Sequence, residues 1–263
     1  MKKYLVIGNP IDHSLSPKLH NYWIKQNKIN AIYDKRILNN NELKDLILEV
    51  KTKQISGINV TVPFKNSIIS HLDELSIEAN KTQSVNTIYM ENGRVIGHNT
   101  DIEGFEIAIK KTNFDITNKK VFILGAGGVV PSIIVALIKI GVSDILISNR
   151  TKIKAEKLKK IFNSIQIVNW GEIPNFDLII NATSIGLNLT DEINLDFSNV
   201  GKNKLFYDVI YNPSETNFLK IGKQLGNKYE NGKLMFIYQA FLSFKKWHQI
   251  EPIINNETID LLN

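Results

Sequence analysis

The sequence predicts an α/β protein made of two open α/β domains that face each other across a cleft. Three observations predict it. Short apolar runs alternate with amphipathic helical stretches from one end of the chain to the other, the pattern of βα units around mostly parallel sheets. The run Val121-Phe122-Ile123-Leu124 leads directly into Gly125-Ala126-Gly127-Gly128 and a long apolar helical pattern that ends near Gly141, a strand, glycine turn and helix in sequence. A chain of 263 residues with 43% hydrophobic content and only seven prolines excludes a disordered polymer and suits two medium domains. The expected division is 1–101, completed by 232–263, against 102–231.

In order, Tyr4 to Gly8 reads as a strand, and Ser16-Pro17 opens a helix with a hydroxyl cap and proline in the first turn. Ala31 to Leu38 is a strand, Glu42 to Val50 a helix, and Gly57 to Val62 a strand stopped by Pro63. Two helical stretches reach to about Val85, and Glu91-Asn92-Gly93 then joins Thr87–Met90 to Val95–Gly97 as a hairpin. A helix follows from Ile102 to Lys111. Beyond the glycine turn come strands at Asp144–Ser148, Gln166–Val168, Leu178–Asn181 and Leu205–Val209. The remainder is helical, at Glu215–Leu225, at Leu234–Trp247 and after Pro252.

Composition removes several function classes. The chain has no cysteine, so disulfides, thiolate metal sites and a cysteine nucleophile are all excluded, which fits a reducing, cytoplasmic setting. The five histidines, His13, His20, His71, His98 and His248, form no metal-ligand spacing, and no metal is expected. The start of the chain breaks at Asn9-Pro10 before any leader-like apolar stretch can build, and no run approaches a membrane span. A net charge of +6 and a pI near 9.2 raise the question of nucleic acid. The lysines, however, are interspersed with acids and amides without interleaved aromatics, so a solvated surface that favours anionic small molecules is the better reading.

The glycine turn suits a dinucleotide. Gly125 permits the tight turn, Gly127 lets the backbone approach a pyrophosphate, and the helix N-terminus attracts its charge. Val130 stands in place of a third glycine, with Pro131 in the first helical turn, where a missing N–H is tolerated. The next strand ends at Asn149-Arg150-Thr151, about where an NAD site would place an acid for the ribose hydroxyl. Arg150 is one of only three arginines among 32 basic residues, and Lys152 and Lys154 follow it. That cluster fits a 2′-phosphate, hence NADP(H); an exposed turn arginine is the alternative.

Polar residues gather at strand ends in the first half of the chain. Ser14 and Ser16 could hold a carboxylate, or Ser16 could only cap its helix. Lys65 follows an apolar Pro-Phe step at a helix start, where its charge opposes the helix dipole, and it could act as a general acid/base beside Asp101. Asp101 could equally cap the helix beginning at Ile102. With Asn59, Thr61, Asn86, Asn99, Thr100 and Gln239, the set suits a small polyhydroxylated acid.

Taken together the motifs resemble the shikimate dehydrogenase family along nearly the whole chain. The matching blocks include Ser14-Leu15-Ser16-Pro17, Asn59-Val60-Thr61-Val62-Pro63-Phe64-Lys65, Val85-Asn86-Thr87, Asn99-Thr100-Asp101, the glycine turn, Asn149-Arg150-Thr151, Asn181-Ala182-Thr183-Ser184-Ile185-Gly186 and Tyr207-Asp208-Val209-Ile210-Tyr211-Asn212-Pro213. The resemblance implies NADPH-dependent reversible reduction of 3-dehydroshikimate to shikimate, on the path to chorismate and the aromatic amino acids. It implies Lys65 as proton donor and acceptor with Asp101 as its partner, and Ser14 and Ser16 on the substrate carboxylate. Asn59, Thr61, Asn86, Tyr211 and Gln239 would bind or orient the ring. Gly125, Ala126, Gly127, Gly128, Val129, Asn149, Arg150, Thr151, Lys152 and Lys154 would hold the cofactor, with Thr183, Ser184, Val209 and Gly232 near its nicotinamide end. A monomer or homodimer in the cytoplasm, without nucleic-acid or membrane partners, completes the expectation. Leu187 departs from the family's usual methionine, and Val129-Val130-Pro131 from its usual small residues and arginine. The nearest rivals are a quinate/shikimate dehydrogenase of the same fold and a ligand-binding paralogue without activity.

Overall fold

The computed structural model describes residues 1–188 and 190–262. The chain divides into two compact units, residues 1–104 with 237–263, and residues 105–236, so the boundaries fall inside helices rather than in loops.

The first unit contains β1 (Lys2–Gly8), α1 (Ser16–Gln26), β2 (Ala31–Ile37), α2 (Leu43–Lys51), β3 (Gly57–Val60), α3 (Phe64–Ser67), β4 (Glu74–Leu75), α4 (Ile77–Thr82), β5 (Thr87–Glu91) and β6 (Arg94–His98). The helix α5 (Asp101–Lys111) begins here and continues into the second unit. The strands form one sheet in the order β2-β1-β3-β5-β6-β4. Only β5 runs against its neighbours, because the tight Asn92-Gly93 turn, with φ of 50° and 78°, reverses the chain into β6. Leu5, Ile7, Ile58, Val60 and Ile88 bury one face of the sheet against Leu43, Leu46, Ile47 and Val50 of α2, which repeat at helical spacing. Burying apolar side chains of this size contributes about 1.5 to 3 kcal/mol each.

The second unit contains β7 (Lys120–Leu124), α6 (Val130–Ile140), β8 (Asp144–Ser148), α7 (Lys152–Ile161), β9 (Ile165–Ile167), β10 (Leu178–Asn181), β11 (Leu205–Asp208), α8 (Asn217–Gln224) and β12 (Lys228–Glu230). The helix α9 (Lys233–His248) begins in it and ends in the first unit, which α10 (Asn256–Asp260) completes. Its sheet is parallel throughout, in the order β12-β11-β10-β7-β8-β9. That order is the doubly wound arrangement, and its reversal point lies between β7 and β10, where ligands collect beyond the strand ends. Phe122 and Phe206 have no exposed surface, and truncating either to alanine would cost about 3 to 5 kcal/mol. Gly141, at φ 89°, ends α6 in a conformation that a side chain would strain.

The structure differs from the sequence expectation in detail. Strand β3 stops at Val60, and β4 and β12 are additional strands. Both are two- or three-residue edge elements of mixed polarity, too short to show a period. Among the described residues no helix is long and apolar enough to cross a membrane.

Candidate active site

Two loops and a helix start bring the polar residues of the first unit together. Phe64 is buried in the core and anchors α3, so the adjacent Lys65 is held at the sheet end. Its Nζ lies 2.5 Å from Asp101 Oδ2, with only 11% and 6% of the two side chains exposed. Asn86 Nδ2 donates to the other oxygen, Asp101 Oδ1, at 2.8 Å, and reaches Gln239 Oε1 at 3.5 Å. An ion pair this enclosed is a poor source of stability, because desolvating both charges offsets much of their attraction. Its chemistry is that of an ammonium held in one orientation by a carboxylate, an arrangement able to donate a proton.

Asp101 does not cap its helix. Asn99 Oδ1 accepts the amides of Asp101 and Ile102 at 3.0 and 3.3 Å, while Asn99 Nδ2 is tied to Ser84 O at 2.8 Å. Both oxygens of Asp101 therefore remain available to Lys65 and Asn86. Nor does Ser16 cap its helix: it is the first residue of α1, and it is Ser14 Oγ that accepts the Ser16 amide, at 3.3 Å. The hydroxyls of Ser16, a buried residue, and Thr61, a half-buried one, make no hydrogen bond among the described residues. They are free to donate to a ligand.

Asn59 is placed differently from the others. Tyr33 donates its hydroxyl to Asn59 Oδ1 at 2.7 Å, and Asn59 Nδ2 donates to Asn86 O, Thr87 Oγ1 and Ser243 Oγ at 3.0 to 3.2 Å. Thr87, Thr100 and Ser243 complete this buried web, which ends on the Asn86 carboxamide oxygen. Tyr33 and Ser243 were invisible as site residues in the sequence, since neither lies in a polar cluster. Gln239 packs its backbone on Gly104, where a side-chain carbon would sit 2.9 Å from the Gln239 nitrogen, so glycine is required for that approach.

In the second unit, Gly125 has φ 111°, and a Cβ there would lie 2.7 Å from Ala182 O. The turn thus needs glycine both for conformation and for contact across the reversal point. Gly127 and Gly128 are exposed, and Val129 precedes α6 without any side-chain cap on the helix. Arg150, Thr151, Lys152 and Lys154 are exposed at the end of β8, and Asn149 Nδ2 closes the turn onto Thr151 O at 2.8 Å. No acid occupies the first turn of α7, and none of the three cations has a salt bridge among the described residues. A turn that requires glycine at 125, next to cations without acidic partners, fits a phosphorylated dinucleotide.

Thr183 accepts Ile185 N at 3.0 Å and donates to Asn181 Oδ1 at 2.7 Å, leaving Ser184 half-way along the same turn. Asn181 donates in turn to Asp208, whose buried carboxyl is pushed up to about 6 by desolvation, against the pull of its donors. Tyr211 stacks on Phe236 at 4.4 Å, and Gly232 approaches Val209 too closely for any side chain. Among the described residues no group of three or more His, Asp or Glu side chains gathers to hold a metal ion.

Comparison with known proteins matches this geometry to one family. The family model for the shikimate dehydrogenase substrate binding domain matches residues 6–88, and that for shikimate / quinate 5-dehydrogenase matches residues 106–213. The shikimate dehydrogenase (NADP(+)) of Pelagibacter ubique is 58% identical over 262 residues, covering 100% of this chain and 99% of that protein. The crystal structure of shikimate dehydrogenase from Aquifex aeolicus aligns over 100% of this chain and 97% of its own, with TM-score 0.91 and 36% identity. That of the Thermus thermophilus enzyme, solved with NADP(H) and shikimate, aligns over 100% and 98%, with TM-score 0.90 and 29% identity. With likeness of this degree in both sequence and fold across its full length, the chain belongs to the shikimate dehydrogenase family.

Proposed function

We propose that the protein catalyses the reversible NADPH-dependent reduction of 3-dehydroshikimate to shikimate, within the synthesis of chorismate and the aromatic amino acids. The observation that carries the reading is the enclosed Lys65–Asp101 pair, in a unit whose Ser16 and Thr61 hydroxyls are unspent. Residues 1–104 with 237–263 act as the substrate domain, and residues 105–236 as the NADP-binding domain.

NADPH, when bound, supplies the hydride for the substrate carbonyl carbon. Gly125, Ala126, Gly127, Gly128 and Val129 hold its pyrophosphate. Asn149, Arg150, Thr151, Lys152 and Lys154 hold the ribose and its 2′-phosphate, and Thr183, Ser184, Val209 and Gly232 border the nicotinamide. Ser14 and Ser16 bind the substrate carboxylate. Thr61, Asn86, Tyr211 and Gln239 bind the ring hydroxyls, and Asn59 orients Asn86 from below. As the C3 oxygen gains electrons it needs a proton, and the Lys65 ammonium delivers it. Asp101 fixes the ammonium through one oxygen while Asn86 fixes Asp101 through the other. In the oxidative direction neutral Lys65 takes the proton back.

The bare cations around Arg150 favour NADP over the NAD used by many quinate/shikimate dehydrogenases, and the intact Lys65–Asp101 pair opposes a ligand-binding role without chemistry. The small acid and cofactor are its partners, with no nucleic acid or membrane, and the enzyme works in the cytoplasm as a monomer or homodimer. Some of its lysines are paired locally with acids, as at Lys51–Asp73, Lys110–Glu106–Lys139 and Lys223–Glu215. The test is the near-ultraviolet absorbance of NADPH on mixing the protein with shikimate and NADP. NADPH formation supports the reading; its absence, with formation on quinate and NAD instead, replaces it.

A further inference from the structure

Beneath the ends of β10 and β11 lies a carboxylate that the proposed reaction does not use. Asp208 has no exposed surface and no salt bridge among the described residues. Asn181 Nδ2 donates to both of its oxygens at 3.1 Å, the Ile210 amide to Oδ1 at 3.0 Å, and the Thr216 hydroxyl to Oδ2 at 2.6 Å. Burying a carboxylate among neutral donors costs stability, so packing alone would be served better by an uncharged side chain.

Its partners govern two loops. Held by Asp208, Asn181 turns Oδ1 toward the Thr183 amide at 3.1 Å and hydroxyl at 2.7 Å, while its Nδ2 also reaches Ile185 O at 3.0 Å. Thr183 Oγ1 then accepts the Ile185 amide. The turn 182–186 is thereby fixed, with its Ala182 carbonyl against Gly125. On the other side, Ile210 and Thr216 bracket the loop 209–216, which carries Val209 and Tyr211, and Thr216 also caps α8.

We infer that Asp208 is a positioning residue for the nicotinamide end of the cofactor site: its two oxygens lock the turn bearing Thr183 and Ser184 to the loop bearing Val209 and Tyr211. The inference rests on the proposed NADP-dependent activity. An amide cannot replace the carboxylate without loss, since Asn181 Nδ2 donates to both oxygens and the new NH2 would face it in either orientation, together with the Ile210 amide in one and the Thr216 hydroxyl in the other.

Asp208→Asn, Thr216→Val and Thr216→Ser are compared with wild type for melting temperature, kcat and the separate KM values for NADP and shikimate. Asp208→Asn is expected to melt at or above the wild-type temperature at neutral pH while KM for NADP rises about tenfold, a change of about 1.4 kcal/mol. KM for shikimate stays within about twofold, Thr216→Val reproduces the NADP effect, and Thr216→Ser restores wild-type values. Should Asp208→Asn fail to fold, the two Thr216 variants decide. Folded variants whose KM for NADP is unchanged overturn the assignment and leave Asp208 a packing residue. A wild-type protein inactive with shikimate and NADP overturns the parent reading and this one together, whereas active wild type with unaffected variants overturns this one alone.

Discussion

Asn99 takes the amide of Asp101 at 3.0 Å, and through that bond it releases the Asp101 carboxylate from capping its own helix. The helix start and the proposed acid/base pair thus draw on two residues whose contacts do not compete. Replacing Asn99 with alanine removes the cap and leaves nearby groups unpaired, so it should cost about 1 to 3 kcal/mol. It should also lower kcat, because Asp101 loses its backbone anchor. Denaturant unfolding and steady-state kinetics on the same preparation check both; lost stability with unchanged kcat would separate Asn99 from the chemistry.

Arg150→Ala should weaken use of NADPH by about 1.5 to 3 kcal/mol, as for a lost hydrogen bond to a charged group, and leave NADH use nearly unchanged. The cluster is exposed and lacks acids, so the effect should shrink as salt is added. Comparing kcat/KM for both cofactors at two ionic strengths tests this, and equal losses would remove the 2′-phosphate role.

Gly125→Ala places a methyl 2.7 Å from Ala182 O on a backbone with φ 111°. The strain should amount to about 1 to 3 kcal/mol and abolish cofactor binding, because relief requires moving one of the two loops at the reversal point. Calorimetric titration with NADP provides the check. Gly127→Ala is the control: its added carbon has 3.9 Å of room to the same carbonyl, so the fold should survive.

His20 supplies a pH signature. It is 1% exposed, its ring nitrogens have no hydrogen-bond partner, and it stacks on Tyr33 at 4.2 Å. Burial, with a smaller contribution from His248, pushes its pKa down to about 3 from 6.5. The unfolded chain therefore binds a proton below pH 6.5 that the native state refuses until about pH 3. Stability from this residue is fully present above about pH 6.5 and is lost as pH falls, by about 1.4 kcal/mol per unit. Unfolding measured from about pH 7 to about pH 4 should show a slope reduced by that amount in His20→Phe. His248, lowered to about 4, adds a slope of the same sign that both proteins share. Parallel curves would place the His20 proton elsewhere.

The sequence was most legible where one local rule decided the outcome. The uninterrupted apolar run of β7, the glycines after it and Gly141 at the end of α6 need no distant partner to be read. Capping residues were harder: Asn99 and Asp101 are two apart and both of capping type, as are Ser14 and Ser16, and only the three-dimensional contacts choose between them. Asn59 reads as a ligand-facing amide, yet its donors and acceptor are occupied by Tyr33, Thr87 and Ser243, the last 184 positions away. Asp208 stood in a matching block but without a role, because what makes it unusual is burial against Asn181 and Thr216 rather than its place at a strand end. The short edge strands β4 and β12 are set by pairing with β6 and β11, not by their own composition.

The proposed reaction depends above all on Lys65, held by Asp101, moving the proton. The most direct measurement is the rate of shikimate oxidation by Lys65→Ala, with NADP and shikimate binding followed calorimetrically on the same protein. Turnover is expected to fall by about 10² to 10⁴-fold, the usual contribution of general acid/base catalysis, while both ligands still bind. Turnover within a few-fold of wild type would contradict it and transfer the proton to another group.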